Sequence, residues 1–313
     1  MNLDGMWRMS KVDVLDKGYV RLVDVMGNEL SIVNAARVSY DKESQELDEK
    51  DLKLLAFLIR EKHLSPLRHV SMTFEVYSPL MVARQHWKYA VSSTFVDDQN
   101  GWNESSRRYV TEKEEFYTPR YNEWRSKPEN SKQGSGEAID VIKGREFSKY
   151  LVKHFKNSEA LYKEALKAGI APEQARLFLP AYSMYIRYRW TTSLASLLHF
   201  LSERLKDDAQ FEIKEYALAI NDLIKPLFPN VFKEIFKQKL TDSAIVAIEN
   251  EAFGLPKNES KRETVKKMTR KIDAITERVK DLHEAGRNDW NTDFDFDEIN
   301  FNYGDIERQH NDI

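Results

Sequence analysis

Residues 69–89, HVSMTFEVYSPLMVARQHWKY, hold a strand followed at once by a helix, and the rest of the fold reads outward from them. His69 to Tyr77 is rich in β-branched and aromatic residues, which suit a pleated, half-buried strand. Ser78-Pro79 then reads as an N-cap with proline at the first helical position, opening a helix through about Ala90. Upstream, Tyr19 to Val25 alternates in strand fashion, and Gly27-Asn28 predicts a hairpin turn before Glu29 to Val33 resumes the sheet. Asn34 to Tyr40, NAARVSY, is a short connecting segment, and a helix is predicted over about Glu49 to Glu61.

Downstream, residues 91–136 are polar and loop-rich, with a turn cluster, SKPENSKQGSGE, over 126–137. A helix is predicted from Ala138 to Ala168, with Gly169 as its stop. Another starts at Pro172 and is ended by Pro180. Tyr185 to Thr192 is extended. Ser193 to Lys206 and Ala209 to Ile224 carry apolar residues at three- and four-residue spacing, the mark of amphipathic helices.

The 313 residues are 41% hydrophobic, enough to build a sizeable core. Forty-eight Lys and Arg against 51 Asp and Glu leave a net charge of −3, so there is no bulk electrostatic case for nucleic acid or an anionic membrane. The longest apolar run, Leu54 to Ile59, is far short of the roughly 20 residues a membrane span needs. The first residues, MNLDGMWRMSKVDVLDKG, carry acids and no apolar core of a secretory signal, so a cytoplasmic protein is expected. There is no cysteine, which removes disulfides, thiolate metal sites and thiolate nucleophiles together. An enzyme built from this chain must use another nucleophile or borrow its chemistry from a cofactor.

Four clusters bear on chemistry. In ARQHWKY and NESSRRY (83–89 and 103–109), Arg84, Gln85 and Lys88 share one helical turn, and a loop adds Glu104, Ser106, Arg107 and Arg108. Forked guanidinium donors and a serine hydroxyl suit a phosphate, although a solvated cationic surface has the same composition. In APEQARLFLPAY (171–182), Glu173 and Arg176 stand three apart, the ordinary spacing of a surface ion pair. In SLASLLHFLSERLKDDAQFEI (193–213), His199 and Arg204 flank an apolar stripe, and a satisfied core histidine is the ordinary reading of His199. In HLSPLRHVSMTFE (63–75), two histidines six apart lack a matching carboxylate, so no metal site is expected. GxGxxG, GxxxxGK[ST] and GxSxG are all absent, so a nucleotide or flavin must be held another way.

Taken in order, these passages resemble the flavin-dependent thymidylate synthases over about residues 18–250. AARVSY (35–40) is the first match, and SPLRHVSMTFE (65–75) is similar to the family's SPxEH-strand element. ARQHWKY with NESSRRY resembles the signature helix and loop, RHRx7S followed by R-Y. ARLFLP, WTTSLASLLHFLSER and AQFEIKEYA resemble the family's last block. The chain departs from the pattern in places. The RHR triplet falls on Lys88-Tyr89-Ala90, and fifteen residues separate it from Ser106 where the family has seven. A frequent Asn and Arg of the second flavin-contacting stretch fall on Ser193 and Ala195, and a flavin-contacting Asn falls on His199.

The resemblance implies an α+β fold with a mixed sheet flanked by long helices, assembled as a homotetramer with active sites between subunits. It implies dTMP synthesis from dUMP, with methylenetetrahydrofolate as one-carbon donor and FAD reduced by NADPH as hydride source. For dUMP it implies Gln85, Lys88, Glu104, Ser105, Ser106, Arg107, Arg108, Arg176 and Arg204, with Arg204 catalytic. For FAD it implies Ser71, Lys88, Tyr89, Ala90, Glu104, Ser193, Ala195 and His199. A nucleotide-binding regulatory protein on the same fold, its catalysis lost with the Lys88-Tyr89-Ala90 changes, is the rival expectation; a flavin absorbance spectrum separates the two.

The catalytic domain is expected over 1–253 and a charged extension over 254–313. In that extension Val265, Met268, Ile272, Ile275, Val279 and Leu282 recur at alternating three- and four-residue steps, a coiled-coil-like seam. The last 26 residues are an acidic tail.

Overall fold

A strand that alternates apolar and polar side chains buries one face of its sheet, and three long strands here do so side by side. The computed structural model describes residues 10–91, 101–105, 115–128, 134–206 and 208–237. The strands are β1 (Lys11–Val14), β2 (Gly18–Met26), β3 (Ser71–Pro79), β4 (Gly101–Glu104) and β5 (Tyr185–Ser193). They form one sheet in the order β1-β2-β3-β5-β4. All four pairings are antiparallel, which corrects the expected mixed sheet while keeping the α+β class.

On the inner face Val20 and Leu22 of β2, Met72, Phe74 and Val76 of β3, and Tyr188 and Trp190 of β5 are buried. The register sets Phe74 opposite Trp190, and their rings stack at 5.8 Å. The outer face is polar. Glu75 accepts from Arg21 at 2.8 Å and from the Tyr19 hydroxyl at 2.9 Å. Burial alone would raise the Glu75 carboxyl; those hydrogen bonds and the charges of Arg21 and Arg189 hold it below the usual carboxylate range.

The helices are α1 (Glu29–Arg37), α2 (Glu49–Arg60), α3 (Leu80–Val91), α4 (Val141–Lys167), α5 (Pro172–Ala175), α6 (Leu194–Arg204) and α7 (Phe211–Ile224), with a further helix over 229–237. Ile32 and Val33 of α1, Leu55 and Leu58 of α2, Leu197 and Phe200 of α6, and Ile213 and Ile220 of α7 join the sheet's inner face in one core. The Tyr216 hydroxyl of α7 donates to the Tyr77 carbonyl at 2.7 Å. A Cβ on Gly18 would lie 1.8 Å from that hydroxyl, so glycine is what lets α7 seat on the sheet.

Two local expectations are overturned. Gly27-Asn28 is not a hairpin turn. Asn28 caps α1, accepting from Ser31 N at 3.0 Å while its own N–H donates to Ser31 Oγ at 3.1 Å, a capping box in which serine replaces the usual glutamate. The chain turns into this helix at Gly27, whose φ of 83° suits glycine. Ser78 and Pro79 likewise end β3 and do not cap α3, which begins at Leu80. The predicted loop 91–136 contains β4, and the helix from Pro172 ends at Ala175 before a 3₁₀ turn over Arg176–Phe178.

Glu29 ties the far end of the described chain to α1. Its buried carboxylate accepts from Asn230 N at 2.7 Å, Asn230 Nδ2 at 2.7 Å and Val231 N at 2.9 Å. Arg37, from the AARVSY passage, donates to the buried Asp51 of α2, which also accepts from Ser44 Oγ at 3.1 Å. The boundary at 253/254, the seam and the acidic tail lie outside the described residues.

Candidate functional site

Four elements that carry expected site residues meet on one aromatic node. Its centre is His86 of α3, one residue from Gln85 and 1% exposed. The His86 ring stacks on Phe200 of α6 at 4.6 Å and meets Trp190 of β5 edge-on at 4.2 Å. It also meets Trp102 of β4 edge-on at 5.7 Å, and Trp102 stacks on Tyr188 at 4.1 Å. His86 Nδ1 lies 2.9 Å from the Tyr188 hydroxyl, while Nε2 has no hydrogen-bond partner among the described residues. The core histidine is therefore His86; His199 is only half-buried, which corrects its ordinary reading.

Burial pushes the His86 imidazole down from 6.5 to about 3. An unfolded chain takes up this proton near 6.5 and the folded chain not until about 3, so between those values stability falls as pH falls. Denaturant unfolding at stepped pH should show wild type losing up to about 1.4 kcal/mol per unit below 6.5 relative to His86→Phe. Parallel curves for the two proteins would count against a neutral buried imidazole.

Around this node the expected residues fall as follows. Gln85 is half-buried and Lys88 exposed on α3, which also carries Tyr89 and Ala90. Glu104 ends β4, and Ser105 N donates to the Arg187 carbonyl at 2.8 Å, extending that edge by one bond. Ser106, Arg107 and Arg108 lie outside the described residues. Arg176 does not form the expected ion pair; its Nε donates to the Glu173 backbone carbonyl at 3.2 Å. Its charge is felt instead by Glu104, whose carboxyl is raised by desolvation, with Arg176 pulling the other way. Glu104 keeps solvent access all the same, so the rise reflects crowding by protein on one side.

Arg204 closes α6, half-buried, with His199 one turn and a half earlier on the same helix. The intervening Glu203 is held below the usual carboxylate range, chiefly by a hydrogen bond from Lys206, with His199 and Arg204 adding charge. Ser71 opens β3 directly opposite Ser193 at the end of β5. Ser193 is fully buried and caps α6, accepting from Ser196 N at 3.3 Å, and Ala195 is 2% exposed within the core. Both side chains are enclosed by the core at the start of α6.

Two residues not expected at the site join it. Gln85 Nε2 donates to Gln210 Oε1, and Gln210 Nε2 donates to Glu212 Oε2 at 2.7 Å. Both sit within AQFEI, a passage that carried resemblance but no assigned role; the pairing of the Gln85 amide on α3 with Gln210, the residue just before α7, is tertiary and has no local signature. Elsewhere, a groove of about 610 Å³ between residues 118–121 and α4 is lined by Arg120, Arg145, Lys149 and Lys153, and by none of the expected site residues. Among the described residues no group of His, Asp and Glu side chains is placed to hold a metal ion, and no helix is long and apolar enough to cross a membrane.

Residues 21–230 match the family model described as thymidylate synthase complementing protein. The flavin-dependent thymidylate synthase of Thermotoga neapolitana is 38% identical over 231 residues, 72% of this chain and 94% of that protein. That of Thermus thermophilus is 37% identical over 237 residues, 75% of this chain and 82% of that protein. Among solved structures, the UMP/dUMP methylase PolB of Streptomyces cacaoi, bound with 5-Br dUMP, superimposes with a TM-score of 0.61 at 27% identity. That match covers 72% of this chain and 97% of PolB.

Proposed function

The chain belongs to the family of thymidylate synthase complementing proteins, the flavin-dependent thymidylate synthases, and from that premise we propose that it converts dUMP to dTMP. The carrying observation is the node itself: α3, β4 and α6 are locked around His86, so Gln85, Lys88, Glu104 and Arg204 stand on elements that cannot drift independently. With no cysteine in the chain, the pyrimidine is not activated by a thiolate.

In this reading methylenetetrahydrofolate gives the one-carbon unit and NADPH the reducing equivalents, through FAD. The donor set suits FAD in part. Lys88 offers a cation for phosphate oxygens, Ser71 a hydroxyl and His199 a half-buried imidazole, whereas Ser193 and Ala195 offer no side-chain surface. When bound, the reduced flavin supplies a hydride. The protein's own residues position and stabilise. Arg204 holds the negative charge that develops on the pyrimidine as N3 loses its proton, which makes C5 nucleophilic without a covalent bond to the enzyme. Arg176, with Arg107, Arg108, Ser105 and Ser106, grips the phosphate side, and Glu104 faces the Arg176 charge.

A homotetramer with active sites between subunits and a cytoplasmic location complete the proposal. Support for a covering subunit comes from Leu177, Phe178 and Tyr182, which are exposed on the chain directly following Arg176. Release of tritium from C5-labelled dUMP, with NADPH and methylenetetrahydrofolate and with or without added FAD, tests the reaction. Turnover that depends on all four is expected. Tight dUMP binding without release would mark a nucleotide-binding protein instead.

A further inference from the structure

The groove against α4 is cationic along its whole length. Arg145, Lys149, Lys153 and Lys156 of the helix line it with Arg120 and Tyr121 of the facing segment, and no Asp or Glu is among its lining residues. Arg120 reaches Glu123 at 3.7 Å with its side chain 72% exposed, and Glu159 pairs with Lys163 beyond the Lys156 end. The walls are fixed at both ends. Ser148 Oγ accepts from Trp124 Nε1 at 2.8 Å and donates to the Pro119 carbonyl at 3.2 Å, and Phe155 stacks on Phe116 at 4.7 Å. Like charges one helical turn apart repel, and an anion laid along them relieves that repulsion.

The spacing of the cations points to the anion. Four residues of helix advance about 6 Å, so Arg145, Lys149 and Lys153 recur at that step, and Lys156 follows within about 5 Å. A γ-linked glutamate repeats after five bonds of chain where an α-linked residue repeats after three, which sets its free carboxylates roughly 6 Å apart. Folates end in glutamate and are extended through its γ-carboxyl. The Lys156 end of the row lies toward the turn of Arg176, because Phe155 packs with Leu179, three residues further along the chain.

We propose that this groove binds the oligo-γ-glutamate tail of the folate co-substrate, which enters at Lys156 and runs toward Arg145. The inference rests on methylenetetrahydrofolate being the one-carbon donor. The row offers about 16 Å of helix, which matches about three or four carboxylates.

The test is calorimetric titration of the full-length protein, supplied with FAD and dUMP, with tetrahydrofolates carrying one to six glutamates. Each glutamate up to about the fourth should tighten binding about twofold to threefold, as an exposed ion pair does, and later ones should add nothing. Lys149→Gln combined with Lys153→Gln should reduce the whole gain to about twofold and leave the monoglutamate within about twofold of wild type. Both side chains are exposed, so the melting temperature should hold; if it does not, Lys153→Gln alone must remove one step of the gain. Free tetra-γ-glutamate should displace the long-tailed folate better than a single-stranded decanucleotide does. A wild type indifferent to tail length overturns the inference, as does an unchanged gain in a folded variant. An oligonucleotide that competes better than tetra-γ-glutamate overturns it in favour of a nucleic-acid surface. A wild type that binds no folate of any length overturns the donor reading on which it rests.

Discussion

Arg204→Ala should lower dUMP turnover by a hundredfold or more, about 3 kcal/mol of transition-state stabilisation, while the melting temperature hardly moves. The asymmetry follows from the position of the side chain. Arg204 is the last residue of α6 and half-buried, outside the core that Leu197, Phe200 and Leu201 of the same helix build. Its structural worth is that of a cation at a helix C-terminus, about 0.3–1 kcal/mol. Its catalytic worth is larger because the charge it would meet exists only as the pyrimidine ionises. Arg204→Lys should recover part of the rate, since charge returns without the planar fork. Steady-state kinetics beside a thermal melt decide the matter: a near-normal kcat in Arg204→Ala removes it from the catalytic machinery.

The largest loss of stability is expected at Glu29. Its one carboxylate takes three hydrogen bonds, two of them from backbone N–H groups that open the helix over 229–237. It also stands in the first turn of α1, so it faces the positive ends of two helices at once. Glu29→Ala leaves the Asn230 and Val231 N–H groups without a partner, with the Val231 side chain fully buried, at roughly 1–3 kcal/mol each. A total of about 3–5 kcal/mol follows, with Glu29→Gln in between because an amide oxygen still accepts. Urea midpoints at fixed protein concentration check this. A loss under about 1 kcal/mol in Glu29→Ala would show that water satisfies those groups.

The sequence carried the long elements because their patterns are local. β3 and β5 alternate, and α4, α6 and α7 repeat at helical spacing, so each could be read from its own residues. Glu29 to Val33 could not. Asn28 suits a hairpin turn and a helix cap equally well, and what decides between them includes Asn230 and Val231, about two hundred residues away. β4 escaped notice for a related reason: GWNE has too few residues to show a period, and it becomes a strand only by pairing with Tyr188–Thr191. The roles of Arg176, Arg204 and Gln85 are expected through resemblance alone. Gln210 and Glu212 were not assigned, because their link to Gln85 is tertiary and leaves no local pattern. Ser193 and Ala195 are assigned from aligned positions alone; their burial follows from the strand-to-helix turn they occupy.

His86, Trp102, Tyr188, Trp190 and Phe200 come from four different elements; the other four rings all meet His86, Trp102 also meets Tyr188, and Trp190 also meets Phe200. Substitutions at such positions are not independent: two together differ from the sum of each alone. A replacement at any one changes the room left for its neighbours, so an accepted change at 86 calls for compensation at 102, 188, 190 or 200. Lineages should therefore pass through this cluster in concerted steps, a change in one ring accompanied by a change in another.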